Sequence, residues 1–453
     1  MKKTITPANS ERLSSIIKAY DIRGLYPDEI DAPTCRSLGA AFARYCASDR
    51  IVTGRDMRES GIELSAAFAE GVMSQGVDVV DIDLASTDLL YFASGVLNIP
   101  GAMFTASHNP AGYNGIKLCG PGAAPISQES GLEQIKAIAS GEIRVAERPG
   151  ALSRVDLMEE FVSHVLSFID LTNLRPLKVV VDTANGMGGY VVPPVFKNLP
   201  FEIEFLYPEL DGTFPNHPAD PLQPENLVDL QRRVLEVGAD LGLAFDGDAD
   251  RVFLVDERAE LVSGSMTTAL VAVGVLRAEG PGPILHNLIC SKSTREAILE
   301  SGGDPIRTKV GHSYIKSVMA ETGAAFGGEH SGHYYFRRNY RADSGLIAAL
   351  MVLEQLCMSG SALSDLLRPL DRYSSSGEIN TKVVDVNRVI ERVAKAYASY
   401  EQDFLDGLTV DCGDWWFNLR PSNTEPLLRL NLEAKDQDQV EAHIRELLPL
   451  FDG

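Results

Sequence analysis

Four short polar segments carry side chains that could share one chemistry. Thr105-Ala-Ser-His-Asn-Pro110 offers one hydroxyl, Ser107, beside the His108 imidazole, with the Asn114-Gly115 turn signal and Lys117 just beyond. The apolar run Ile99-Pro-Gly-Ala-Met-Phe104 precedes it, so a strand is expected to end in a tight loop that presents Ser107 as a nucleophile or phosphate carrier. Asp246-Gly-Asp-Ala-Asp-Arg251 places carboxylates at i, i+2 and i+4, a spacing that lets Asp246, Asp248 and Asp250 converge on one cation. An EF-hand needs glycine where Arg251 stands, and Val252-Phe-Leu-Val255 reads as a strand where a helix should follow. A Mg²⁺ site facing a phosphate, with Arg251 as a phosphate contact, is the better reading. A solvated acidic turn would leave three carboxylates in mutual repulsion.

Gly327-Gly-Glu-His-Ser-Gly-His333 combines a carboxylate, a hydroxyl and two imidazoles, which suit sugar hydroxyls that donate and accept hydrogen bonds. A metal site on Glu329, His330 and His333 and a purely structural turn are the alternatives. Arg420-Pro-Ser-Asn-Thr-Glu-Pro426 follows a strand and reads as an anion cradle, with an ordinary capped turn as its alternative. Lys18-Ala-Tyr-Asp-Ile-Arg-Gly24 and Thr308-Lys-Val-Gly-His312 are weaker signals, since an isolated Tyr20 or His312 is more often a packing or surface group. Asn185-Gly-Met-Gly-Gly does not fit a dinucleotide fingerprint.

The elements around these loops alternate between helix and strand. Helical spacing covers Ala32 to Cys46 and Ile62 to Gln75, with strands at Ile51-Val52 and Val77 to Ile82. Helix Asp156 to Asp170 bridges to a second unit with strands Lys178 to Asp182 and Ala239 to Asp246. A third unit begins near Glu260, with helices Met266 to Leu276 and Ser293 to Ser301 and strand Ile284-Leu-His. From about Asp371 the pattern becomes helix 387–404, two strands (Asp414 to Arg420, Leu427 to Leu432) and helix Asp438 to Leu448, a small α+β unit. Three times an apolar segment ends in a dense polar loop, at Thr105, Asp246 and Gly328, a spacing that suits one domain per loop.

The 453 residues are 45% hydrophobic and 23% charged, which gives ample core material for several domains. No apolar run approaches the roughly 18–20 residues of a membrane span. No apolar stretch follows Lys2-Lys3, so no secretory leader is expected. Six scattered cysteines without metal-ligand spacing fit a reduced cytoplasmic location. A net charge of −22 disfavours nucleic acid and anionic membranes as partners. An anionic substrate then needs a local basic pocket.

Taken together, the loops resemble the α-D-phosphohexomutase superfamily, and the resemblance spans nearly the whole chain. It implies an α/β fold of three similar α/β domains with mixed sheets, plus a smaller C-terminal α+β domain, all facing one central cleft. The expected boundaries are 1–155, 156–258, 259–370 and 371–453. It further implies that Ser107 carries a phosphoryl group and that Mg²⁺ sits on Ser107, Asp246, Asp248 and Asp250. The group would pass to a hexose phosphate, with a hexose 1,6-bisphosphate as intermediate and activator. Lys117 and His312 become candidates for proton transfer and charge compensation, with His108 and Arg251 beside the reacting phosphate. Arg420, Ser422, Asn423 and Thr424 would hold the distal phosphate, and Glu329 and Ser331 would read sugar hydroxyls. His333 would touch sugar or phosphate, and Tyr20 and Arg23 would line the substrate.

The Gly-Glu-x-Ser-Gly-His form resembles phosphomannomutases and dual phosphomannomutase/phosphoglucomutases, while Asn423 argues against phosphoglucosamine mutases. His330 has no reading in this scheme. The expected partner is a small hexose phosphate, and the expected state is monomer or homodimer. The competing classes are a Mg²⁺-dependent aspartyl-phosphate phosphatase with Asp246 as nucleophile and a non-catalytic sugar-phosphate or calcium-binding protein.

Overall fold

Buried apolar strands alternating with helices produce one topology three times. The computed structural model describes residues 4–421 and 427–451, and for His312 the backbone only. In the first unit, Arg50–Arg55, Asp78–Leu84 and Gly101–Phe104 run parallel, and Tyr113–Gly120 returns antiparallel beside Gly101–Phe104. In the second, Lys178–Asp182, Glu202–Leu206 and Leu241–Phe245 run parallel, and Val252–Asp256 returns antiparallel. In the third, Pro283–Asn287, Asp304–Thr308 and Phe326–Gly328 run parallel, and Tyr334–Phe336 returns antiparallel. Each time the spatial order is second, first, third, fourth. The three polar loops are therefore the same connection, joining the third strand to the fourth. They lie at carboxyl ends of parallel strands beside the switch in strand order, where open α/β sheets place ligands.

Local chemistry fixes the helices that brace these sheets. Asp31 caps Ala32–Cys46 by accepting from the Thr34 N–H, and Ala47 ends that helix in the left-handed region. Helices Ala32–Cys46 and Ser60–Met73 pack backbone to backbone: a Cβ on Gly39 would stand 2.1 Å from the Phe68 carbonyl oxygen. One core cluster runs from Val52 to Leu370 and joins the first three units, whereas the last has its own cluster, Val389 to Phe451. No helix among the described residues is long and apolar enough to cross a membrane.

The C-terminal unit departs from the sequence expectation in two ways. Its sheet has five strands, with Ser374–Lys382 pairing Leu427–Ala434. The helix expected over 387–404 is Val386–Ala396, and Glu401–Asp403 is a strand paired with Leu408–Asp411. The Gln402 side chain donates to the Ala394 and Tyr397 carbonyls. It thereby satisfies groups that a longer helix would have paired internally.

In the second unit His217 ties the loop after Glu202–Leu206 to the end of Lys178–Asp182. Its Nε2 lies 3.0 Å from Asp182 Oδ2 and its Nδ1 2.9 Å from the Pro218 carbonyl oxygen. Both partners are acceptors, so only the imidazolium makes both bonds. Burial lowers its pKa, but the Asp182 bond and charge, with Pro218 and Asp229 behind them, raise it above the ordinary histidine value. A folded pKa above the unfolded one gives stability that is complete below the unfolded value and lost as pH rises through the folded one. His217→Ala should accordingly lower Tm more at about pH 6 than at about pH 9. An equal loss at both would refute this account.

Candidate active site

Ser107 sits in the left-handed region at φ 49°, held there by its own loop. Its N–H donates to Thr105 Oγ1 at 2.9 Å, and the Asn109 N–H closes a turn onto the Ala106 carbonyl at 3.0 Å. Beneath the loop lies Arg58, 1% exposed. Its guanidinium donates to the carbonyls of Ser107 (2.9 Å), Asn109 (2.6 Å), Pro110 (2.9 Å) and Tyr113 (3.0 Å), and its Nε to Asp56 Oδ2 (3.2 Å). All five arginine donors are used. The sequence implied a tight loop that presents this hydroxyl, which need not be buried. Instead Ser107 is 4% exposed, because the Asp246 loop of the second unit closes over it.

Ser107 Oγ donates to Asp246 Oδ2 at 2.7 Å. Arg251 Nε donates to the same oxygen at 2.9 Å, its Nη2 lies 3.4 Å from Ser107 Oγ, and it also donates to His108 Nδ1. Burial, with Arg251 and Arg23 nearby, pushes the His108 imidazole down to about 2, so the ring is neutral and accepts the arginine N–H. Lys117 Nζ bridges Asp248 Oδ2 (2.7 Å) and Asp250 Oδ2 (2.6 Å), and Thr87 Oγ1 donates to Asp248 Oδ2 at 2.6 Å. Burial alone would discharge Lys117, but Asp248 and Asp250 hold it well above the usual lysine range. Burial works against Asp248 too, yet Lys117 and Thr87 hold it below the usual carboxylate range. Asp246 is raised, by burial first and then by its neighbouring aspartates, against the pull of Arg251.

The donor set fits a divalent cation. One oxygen from each of Asp246, Asp248 and Asp250 lies within 4.8 Å of the others. Asp248 Oδ1 and Asp250 Oδ1 are buried and accept no hydrogen bond among the described residues. Free hard oxygens, and three carboxylates facing two fixed cations, describe a centre short of positive charge. A second compact group, Asp250, His333 and Asp343, is less suited, because Asp343 already pairs with the buried Lys316 ammonium at 2.9 Å.

The third loop joins this centre through a bridge between Arg251 and His333. His333 Nδ1 lies 2.9 Å from Asp343 Oδ2 and 3.9 Å from Asp250 Oδ1. Glu329 is buried and accepts from the Gly311 N–H at 3.0 Å and the Tyr335 hydroxyl at 2.7 Å. Tyr20 of the first unit packs on that turn: Gly311 has φ 129°, and a Cβ there would stand 2.5 Å from the Tyr20 hydroxyl oxygen. Arg23 joins the serine loop through Asn109 Oδ1 and pairs with Asp21.

The remaining expected residues are Arg420, Ser331, Ser422, Asn423, Thr424 and His312. Arg420, 7% exposed, donates to Glu378 Oε2 at 2.6 Å, and its buried Nε has no hydrogen-bond partner among the described residues. Ser331 is partly exposed. Ser422, Asn423 and Thr424 lie outside the described residues, as does the His312 side chain. His330 turns away from Glu329 and His333, with its Nδ1 3.1 Å from Ser265 Oγ, so the three do not gather as a metal site. Sequence reasoning passed over Arg58, Thr87, Lys316 and Asp343. The polar run Arg55-Asp-Met-Arg58 at the end of a buried strand is the one signal that pointed to any of them.

With this geometry in hand, comparisons with known proteins agree along the chain. Family models described as phosphoglucomutase/phosphomannomutase alpha/beta/alpha domains I, II and III match residues 14–144, 159–260 and 263–373, and the C-terminal domain matches 378–448. A protein of Xanthomonas campestris pv. campestris named "Phosphohexose mutases" is 40% identical over 443 residues, covering 96% of this chain and 99% of its own. A phosphomannomutase of Salmonella montevideo is 38% identical over 450 residues, covering 96% and 98%. The crystal structure of a phosphoglucomutase/phosphomannomutase family protein from Burkholderia thailandensis superposes with TM-score 0.88 at 34% identity, covering 97% of this chain and 98% of that one.

Proposed function

This chain belongs to the phosphoglucomutase/phosphomannomutase family of phosphohexomutases, isomerases acting by intramolecular phosphotransfer, and we propose that its own reaction interconverts mannose 6-phosphate and mannose 1-phosphate. One observation carries the mechanism: the 2.7 Å bond from Ser107 Oγ to Asp246 Oδ2 joins the serine of one loop to the acidic cluster of another. Ser107 carries a phosphoryl group in the resting enzyme. The P–O bond to Ser107 breaks as a bond to the free sugar hydroxyl forms, and the hydroxyl proton ends on Ser107 Oγ. The resulting 1,6-bisphosphate reorients in the cleft. Its other phosphoryl group then passes to Ser107, and the serine proton returns to the sugar oxygen.

Asp246, Asp248 and Asp250 would hold Mg²⁺, which would neutralise the phosphoryl oxygens when bound. A phosphoserine adds roughly −1.5 to −2 charges, so the fixed cations matter as much. Arg251, aimed at Ser107 Oγ, stabilises the group in transit, and Lys117 compensates the aspartates. The Arg58 and Thr105 contacts keep Oγ aligned while the phosphate comes and goes. Glu329, Ser331 and His333 meet the sugar, with Tyr20 and Arg23 beside it.

Arg420, with Ser422, Asn423 and Thr424, holds the phosphate that does not react. That contact is the same in ground and transition states, so Arg420→Ala should raise KM for mannose 1-phosphate roughly tenfold and leave kcat within about threefold. A loss confined to kcat would contradict the assignment.

The mannose reading rests on the sugar loop and on relatives named phosphomannomutase. The relative named "Phosphohexose mutases" favours a second reading, dual activity on mannose and glucose phosphates. A side-by-side comparison of kcat/KM for mannose, glucose and glucosamine 1-phosphates, with Mg²⁺ and a bisphosphate activator, separates them. A glucosamine preference would overturn both.

A further inference from the structure

His333 is backed by a chain of buried charges that none of the phosphotransfer steps above uses. Asp343 is 3% exposed, forms the bridge to Tyr335 and directly precedes Ser344, the cap of helix Gly345–Ser359. Its Oδ2 accepts from His333 Nδ1 at 2.9 Å, and its Oδ1 lies 2.9 Å from Lys316 Nζ. Lys316 is itself 2% exposed, and its ammonium stands 4.1 Å from the centre of the Tyr91 ring, which comes from the first unit. The His333 ring stacks near Tyr335 with 6.2 Å between centroids, and the Tyr335 hydroxyl is spent on Glu329. Next door, Ser344 Oγ donates to the buried Asp88 at 2.7 Å, a second tie to the first unit. His333 Nε2 makes no hydrogen bond among the described residues, and the side chain keeps 20% of its surface exposed.

A buried lysine is costly unless it is paired, and a carboxylate behind a histidine fixes which ring nitrogen carries the proton. A carboxylate at Nδ1 demands the proton there. It turns the ring so that Nε2 is the nitrogen left for the cleft. We propose that Asp343 and Lys316 are positioning residues for His333: Asp343 sets its tautomer and ring orientation, and Lys316 pins Asp343. This inference rests on the mutase reading above. It adds to it two residues, one from a helix and one from a β-bridge, that touch no substrate.

The test combines a double-mutant cycle with ¹⁵N NMR of histidine-labelled full-length protein. Asp343→Asn should lower kcat about 10- to 100-fold, the range typical of partners behind a functional histidine, with KM within about twofold. In an His333→Ala background the same change should cost less than about twofold, since its route of action is gone. The ring nitrogen shifts of His333 should show the Nδ1–H form in the wild type and a mixture of tautomers in Asp343→Asn. Lys316→Met should move the same signals. An equal kcat loss in both backgrounds, or an unchanged His333 tautomer, would overturn the proposal. Failure of the mutase reading is distinguishable, because then wild-type protein does not turn over hexose phosphate while the tautomer shift on Asp343→Asn is still read directly.

Discussion

Ser107→Ala is expected to lack the single phosphoryl adduct that intact mass should find on the wild type, and to lower mutase kcat by about 10⁴-fold or more, the scale seen when a nucleophile is deleted from a preorganised site. The loop should survive the change. Its geometry is held by backbone groups, the Ser107 N–H on Thr105 and the Ser107 carbonyl on Arg58, and neither involves the hydroxyl. Tm should stay within a few degrees of wild type, so the lost activity reads as lost chemistry. The same variant separates the mutase from a phosphatase with Asp246 as nucleophile. An adduct that persists after the substitution, or turnover that survives it, would end the phosphoserine mechanism.

Arg58→Met is the second large effect, and it acts on the fold under the site. The substitution keeps the volume roughly filled but leaves Asp56, fully buried, without its cation. It also strips donors from four carbonyls of the serine loop. Breaking a buried pair from one side costs about 3–5 kcal/mol. The first unit should therefore unfold at lower urea, and the fraction of chains carrying phosphoserine should fall. Arg58→Lys should land between the two, because lysine keeps a charge for Asp56 but cannot fork onto four carbonyls. If Arg58→Met melts with the wild type, the guanidinium is not what holds the loop.

Much of the cleft was legible because its loops concentrate unusual residues. Three carboxylates at alternate positions and a lone serine between a strand and a turn stand out in any apolar context. The topology was legible too, since continuous apolar runs such as Lys178-Val-Val-Val-Asp182 are what buried parallel strands require. The parts that escaped are single polar residues inside ordinary elements. Lys316 lies within helix His312–Thr322 and Thr87 at the first turn of Thr87–Leu97, and neither spacing is unusual. Their meaning arises only when separate units meet. Strand Ser374–Lys382 escaped for another reason: its residues are almost all polar, and pairing with the apolar Leu427–Ala434 makes it a strand. Arg420 was found but its resting partner was not, because nothing local ties it to Glu378, which reaches it across the intervening strand Leu427–Ala434.

The backbone at Ser107 also bears on how this chain can vary. Threonine carries the same hydroxyl and would serve the same transfer, so nucleophilicity alone would admit either residue. At φ 49°, however, a branched Cβ crowds the adjoining peptide groups, and β-branched side chains are genuine outliers there. The residue proposed to carry the phosphate is thus chosen by conformation before chemistry has any say. Drift between two interchangeable alcohols, common on open surfaces, is closed at this position by a single torsion angle.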